Sequence, residues 1–187
     1  MKRLVSGFLS ILLLLAGFSG CARQRRYTGD FSFRIRWGVE GQSSYDSLTD
    51  VLVKTTNASD PDRFKTKLYL SPEEMTELTD LVSTMDLSAI PDAPESYEPY
   101  MTEGVGWALA KPSSVLELTL RNGQEEKTIL CVGALSVLLE CDSETDDLYT
   151  PVDGNAEVFI ALVRRMMRMI LTSEEWKALP EYEVLYQ

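Results

Sequence analysis

The stretch FSFRIRWGV, Phe31 to Val39, decides the fold. Its odd positions, Phe31, Phe33, Ile35, Trp37 and Val39, are all apolar. Its even positions are Ser32, Arg34, Arg36 and Gly38. Side chains alternate across a strand, so this pattern predicts a strand with one dry face and one wet face. Such half-buried strands belong to antiparallel sheets that face solvent on one side.

Working outward, Glu40 to Ser44 reads as a turn and Leu48 to Thr55 as a second strand completing a hairpin. Asn57 to Asp62 is a polar loop. Phe64 to Leu70 alternates again, with Lys65 and Lys67 on the wet side. Ser71-Pro72-Glu73-Glu74 then carries the signature of a helix start: a serine cap, proline at the first helical position and glutamate three residues after the cap. Leu70 and Met75 hold the positions of a hydrophobic staple. Met75, Leu78, Leu81, Val82 and Met85 line one helical face. Glu73, Glu74, Glu77 and Asp80 fall on the wet side, where their charge suits the helix N-terminal half.

Asn122-Gly123 between Val115–Arg121 and Lys127–Val132 predicts a second hairpin. Two registers fit the sequence. A two-residue turn opposes Leu118 with Lys127, whereas a loop over 122–126 opposes Leu118 with Leu130. Gly133 to Cys141 is apolar and too short for its periodicity to separate helix from strand. Ala156 to Leu171 predicts a long helix with Val158, Phe159, Leu162, Val163, Met166, Met169 and Ile170 inward and Arg164, Arg165 and Arg168 mostly off that face. Thr172 and Glu175 have capping-box spacing for a short helix that Pro180 ends, and Val184 to Tyr186 can add a last edge strand. The class expected is α+β: a single domain with one mostly antiparallel sheet and helices packed on one face.

Residues 88–113, punctuated by Pro91, Pro94, Pro99 and Pro112, form a long irregular stretch. Its aromatics either pack onto the core as a lid or present a binding surface. For the second role Tyr97, Tyr100 and Trp107 are the candidates, because exposed aromatics anchor interfaces.

Charge is uneven. The chain carries a net charge of −11. Arg23 to Arg36 contains five arginines and one acid, whereas the chain from Trp37 onward holds 11 basic and 28 acidic residues. An acidic body repels nucleic acid, which excludes that class of partner. The chain has no histidine. Ser-His-Asp and Cys-His catalysis, histidine-ligated zinc and histidine proton shuttles are therefore excluded.

The N-terminus reads as an export signal. Lys2 and Arg3 precede an uncharged run from Leu4 to Phe18. Those 15 residues fall short of the roughly 20 that a helix needs to span a bilayer. Phe18-Ser19-Gly20-Cys21 follows and resembles the lipobox of bacterial lipoproteins, with Phe18 where that family usually carries leucine. The resemblance covers residues 1–21. It implies a diacylglyceryl group on the Cys21 thiol and cleavage just before that residue. Residues 1–20 would then be the signal peptide, 21–29 a basic membrane-proximal tether, and 30–187 the α+β domain. Simple secretory cleavage around Gly20-Cys21-Ala22 is the alternative. Arg23, Arg25 and Arg26 would lie within reach of anionic headgroups, at about 1 kcal/mol each, or form a solvated tether. With Cys21 lipidated, Cys131 and Cys141 remain. They either form a disulfide or stay as two buried thiols.

One acidic stretch has metal-ligand spacing. Asp142, Glu144, Asp146 and Asp153 sit at positions one, three, five and twelve of a segment that looks like a calcium-binding EF-hand loop. The glycine expected at position six is replaced by Asp147, and the long glutamate expected at position twelve by Asp153. A solvated acidic loop is the simpler expectation, and no cofactor is expected. The function expected is a lipid-anchored extracytoplasmic binding protein, at the cell membrane or outer membrane, more a binder than an enzyme. A carboxylate-dependent hydrolase or a weak calcium-binding structural lipoprotein is the alternative.

Overall fold

The computed structural model describes residues 27, 29–101, 114–133 and 150–181. In chain order, β1 (Phe31–Val39), β2 (Ser43–Asp46), β3 (Val51–Val53) and β4 (Lys65–Lys67) precede α1 (Pro72–Ser83). Then come β5 (Tyr100–Met101), β6 (Ser114–Asn122), β7 (Glu125–Val132), β8 (Thr150–Pro151), α2 (Gly154–Thr172) and α3 (Glu174–Ala178).

Six strands form one sheet in the order β4-β3-β2-β1-β6-β7, with every neighbouring pair antiparallel. The expected α+β architecture is therefore the one observed. Strand β1 sits inside the sheet because its odd residues meet apolar partners on both sides. Ile35 lies opposite Tyr45 on β2 and Leu118 on β6, and Tyr45 in turn faces Leu52 on β3. These side chains share one face and are buried, together with Phe33, Leu116 and Ile129. Helices α1 and α2 pack on each other and close this core, α2 supplying Phe159, Leu162, Val163, Met166 and Ile170. The methionines of α2 are thus core residues rather than the lining of an open groove. The other sheet face is wet: Arg34 is exposed and Arg36 pairs with Glu117 at 3.3 Å.

Both sheet edges are protected from further pairing, as edge strands require. Strand β4 exposes Lys65 and Lys67. Along β7 the irregular segment runs parallel, with the Ala93 N–H donating to the Thr128 carbonyl at 3.0 Å and the Tyr97 N–H to the Leu130 carbonyl at 2.7 Å. The proline-punctuated stretch therefore covers an edge, and it carries Tyr97 and Tyr100 inward. Each is only 9% exposed, and Tyr97 meets Phe159 edge-on at 5.2 Å. These two tyrosines are lid residues, not an exposed binding surface. Trp107 lies outside the described residues.

Three local expectations are corrected. Leu48–Thr55 is not one strand. Asp46 accepts from the N–H groups of Leu48 and Thr49 at 2.9 and 3.3 Å, an Asx turn that takes the start of this run out of the strand and leaves β3, while β2 begins at Ser43 within the expected Glu40–Ser44 turn. The β6–β7 hairpin adopts neither expected register: Leu118 faces Ile129 and Asn122 faces Glu125. This register puts Leu116, Leu118 and Leu120 on the same face as Ile129 and Cys131. Gly123, at φ 62°, takes the first central position of the turn, where type II′ hairpins carry glycine. The short helix α3 is capped by Ser173, which accepts from the Trp176 N–H, and not by Thr172, whose hydroxyl bonds back to the Arg168 carbonyl.

Helix α1 matches its expectation in detail. The Ser71 hydroxyl accepts from the Glu74 N–H at 3.1 Å, and the Glu74 carboxylate accepts from the Ser71 N–H at 2.7 Å. Among the described residues no helix is long and apolar enough to cross a membrane.

Candidate functional site

Apolar side chains on the surface of a folded chain are informative when they gather around a concavity. Leu48 is 64% exposed and Tyr69 is 44% exposed. Both line one cleft of about 390 Å³, at the end of the sheet where the described chain begins. Tyr27, Phe31 and Tyr45 line it as well, so four aromatic rings counting Tyr69 surround it. Asp30 and Asp50 are the acids in its wall, and among the described residues no lysine or arginine lines it.

Each wall has a local cause. The Asx turn at Asp46 thrusts Leu48 outward. Two bonds hold that turn against β1. The Ser47 N–H donates to the Phe33 carbonyl at 2.9 Å, and the Phe33 N–H donates to the Ser47 hydroxyl at 2.8 Å. The turn closes at Asp50 with φ 58°, a left-handed conformation that aspartate tolerates better than most residues. The Asp50 carbonyl accepts from the Leu68 N–H at 3.0 Å, which places this 6%-exposed residue beside the 68–70 segment. On the other side, the Tyr27 hydroxyl lies 3.3 Å from the Thr79 hydroxyl on α1. Gly29 permits this fold-back, because a Cβ there would run into the Tyr27 ring.

The floor is Tyr45. Its ring meets Phe33 at 5.6 Å, and its hydroxyl donates to the Leu68 carbonyl. Burial, reinforced by the charges of Asp50, Asp46 and Glu74, pushes this phenol well above the ordinary tyrosine range. The geometry offers an aromatic cleft with two acidic residues, Asp30 and Asp50, in its wall.

A second groove of about 500 Å³ lies between α1 and the β6–β7 hairpin. Arg121, Glu126 and Lys127 line it, and each of them already has an ion-pair partner within about 3 Å.

Of the residues singled out in the sequence, Asp153 caps α2, accepting from the Ala156 N–H at 2.7 Å. Its three companions in the calcium-like spacing, Asp142, Glu144 and Asp146, lie outside the described residues. Among the described residues no three acidic or cysteine side chains gather as a metal site would require. Cys131 is fully buried and its thiol is free. Burial raises that thiol to about 12. Cys141, Cys21, Arg23, Arg25 and Arg26 lie outside the described residues. Sequence reasoning missed the cleft. Leu48 had been placed within a strand, and nothing in the sequence joins Tyr27, Tyr45 and Tyr69.

Compared with known proteins, the chain matches no protein family and no curated protein.

Proposed function

We propose that the chain is a lipid-anchored extracytoplasmic binding protein, attached through Cys21 and working through the cleft between Tyr27 and Tyr69. The observation that carries this reading is the position of the cleft. Its wall begins at Tyr27, six positions after Cys21. A chain of that length spans at most about 20 Å. A ligand in this cleft would therefore be held close to the membrane that receives the anchor. Two acyl chains on Cys21 would anchor stably where one is marginal.

The anchor is tested by intact-mass spectrometry of the membrane fraction, comparing wild type with Cys21→Ser. The expected wild-type species begins at Cys21 and carries acyl mass, while the variant leaves the membrane. A wild-type species that begins after Ala22 without lipid would show free secretion and remove the anchor from the proposal.

A further inference from the structure

We infer that the end of the domain where Tyr27 enters is a membrane-docking face, with the Leu48 side chain inserted into the bilayer interface. This rests on the reading of the chain as anchored through Cys21, and it names the partner of that end of the molecule: a lipid surface.

Exposed apolar side chains scattered singly are ordinary. Leu48 differs in being held out by its turn. At 64% it is the most exposed large apolar residue among the described residues. The N–H groups of Leu48 and Thr49 donate to the Asp46 carboxylate at 2.9 and 3.3 Å. Ser47 exchanges two bonds with Phe33 of β1, at 2.8 and 2.9 Å. From β4, the Lys67 ammonium donates to the Thr49 carbonyl at 2.6 Å. These ties fix an apolar tip in water, and a tip already fixed loses little entropy when it docks. Tyr69, 44% exposed, flanks the same cleft. A tyrosine, with its apolar ring and polar tip, suits the membrane–water interface. The surrounding charge is mixed, since Lys67 and Asp30 are both exposed. Docking is therefore carried by apolar burial and not by charge.

The entry of the chain says what covers this tip. Tyr27 lines the cleft together with Leu48 and Tyr69. Cys21 is six positions earlier, a reach of at most about 20 Å. Leu48 lies near the start of β1, because Ser47 bonds to Phe33. At the far end of the sheet Val39 pairs with Ser114, and Val132 with Val115. The nine residues of β1 separate the two ends by about 26 Å. An anchor at Cys21 would bring Leu48 to the bilayer before Val132, whose 40% exposure makes it an internal control.

The full chain is reconstituted in phosphatidylcholine vesicles that hold a trace of phosphatidylcholine with a diazirine on one acyl chain. After illumination, mass spectrometry maps where the lipid carbene has inserted. Label is expected at residues 47–49 and at Tyr69, and not at Val132. High salt should leave this pattern unchanged, because apolar burial is not screened as surface charge is. Leu48→Asp and Leu48→Gln should each weaken docking by about tenfold, read as lost label at Tyr69. The glutamine variant excludes charge repulsion as the cause, and circular dichroism verifies that both variants stay folded.

Label spread equally to Val132, or label at Tyr69 undiminished in the folded variants, would overturn the docking face while an acylated Cys21 stands. If intact mass shows no acyl chain, the anchor fails on its own, and flotation of the same chain with phosphatidylcholine vesicles decides the docking face. Flotation that Leu48→Gln abolishes supports it, and absence of flotation overturns it.

Discussion

The Tyr45 hydroxyl donates to the Leu68 carbonyl at 3.2 Å, tying β2 to the segment that carries Tyr69 and so fixing the floor of the cleft to its rim. Tyr45→Phe keeps the ring and leaves that carbonyl without its donor. Such a loss costs about 1–2 kcal/mol. Urea denaturation should show this decrease with the fold retained. A variant as stable as wild type would mean that the bond does not hold the floor.

The capping box of α1 gives a second prediction. Ser71→Ala removes the acceptor for the Glu74 N–H and should cost about 1 kcal/mol. Ser71→Gly should cost only a few tenths, since glycine suits the cap position. If the two variants were equally damaging, packing around Leu70 rather than the cap would be the source.

Lys54 concerns the C-terminal helix. Its ammonium is buried, lies 5.2 Å from the centroid of the Trp176 ring, and donates to the Leu179 carbonyl at 3.3 Å and to Glu181 at 2.9 Å. Trp176 also packs on Trp37 of β1 at 5.6 Å. Lys54→Met keeps the apolar stem and removes these polar ties. The expected loss is about 1–3 kcal/mol, with faster amide exchange in residues 174–179 than in α2. Uniform acceleration across the domain would argue against a local tie.

Alkaline pH should destabilise the domain. Burial lifts the Cys131 thiol from near 9 to about 12, and burial with the charge of Asp153 lifts the Tyr97 phenol to about 12. The unfolded chain loses these protons first, so deprotonation favours unfolding. The associated stability is fully present below pH 9 and is lost as pH rises through about 12, with a slope of about 1.4 kcal/mol per unit for each titrating group. Cys131→Ala should be less stable overall because of the small cavity, yet flatter in its decline just above pH 9. Equal slopes in the two proteins would contradict the burial of that thiol.

Alternation and capping were legible in the sequence because they are local. FSFRIRWGV names its own dry face, and Ser71 with Glu74 names a helix start. The register of the β6–β7 hairpin was not legible, since it depends on Ile129 and Cys131 reaching the same core as Leu116 and Leu118. The turn over Ser47–Asp50 was missed because hydrophobic Leu48 and Val51 outweighed the Asx turn of Asp46. Tyr97 looked free to face solvent, but its N–H pairs with β7 and its ring finds Phe159, both contacts at long range in sequence. The cleft was least legible of all. It is assembled from segments around Tyr27, Tyr45 and Tyr69, which only the pairing of β1, β2 and β3 with α1 brings together.

The most direct test of the account is amide-resolved NMR of the full chain in detergent, titrated with a mixture of small organic fragments. The account predicts saturable shifts confined to residues 29–32, 45–50 and 69–75, the walls of the cleft, and their loss in Tyr69→Ala. Shifts centred instead on the groove around Thr79, Met85 and Asn122, or none that saturate, would contradict it.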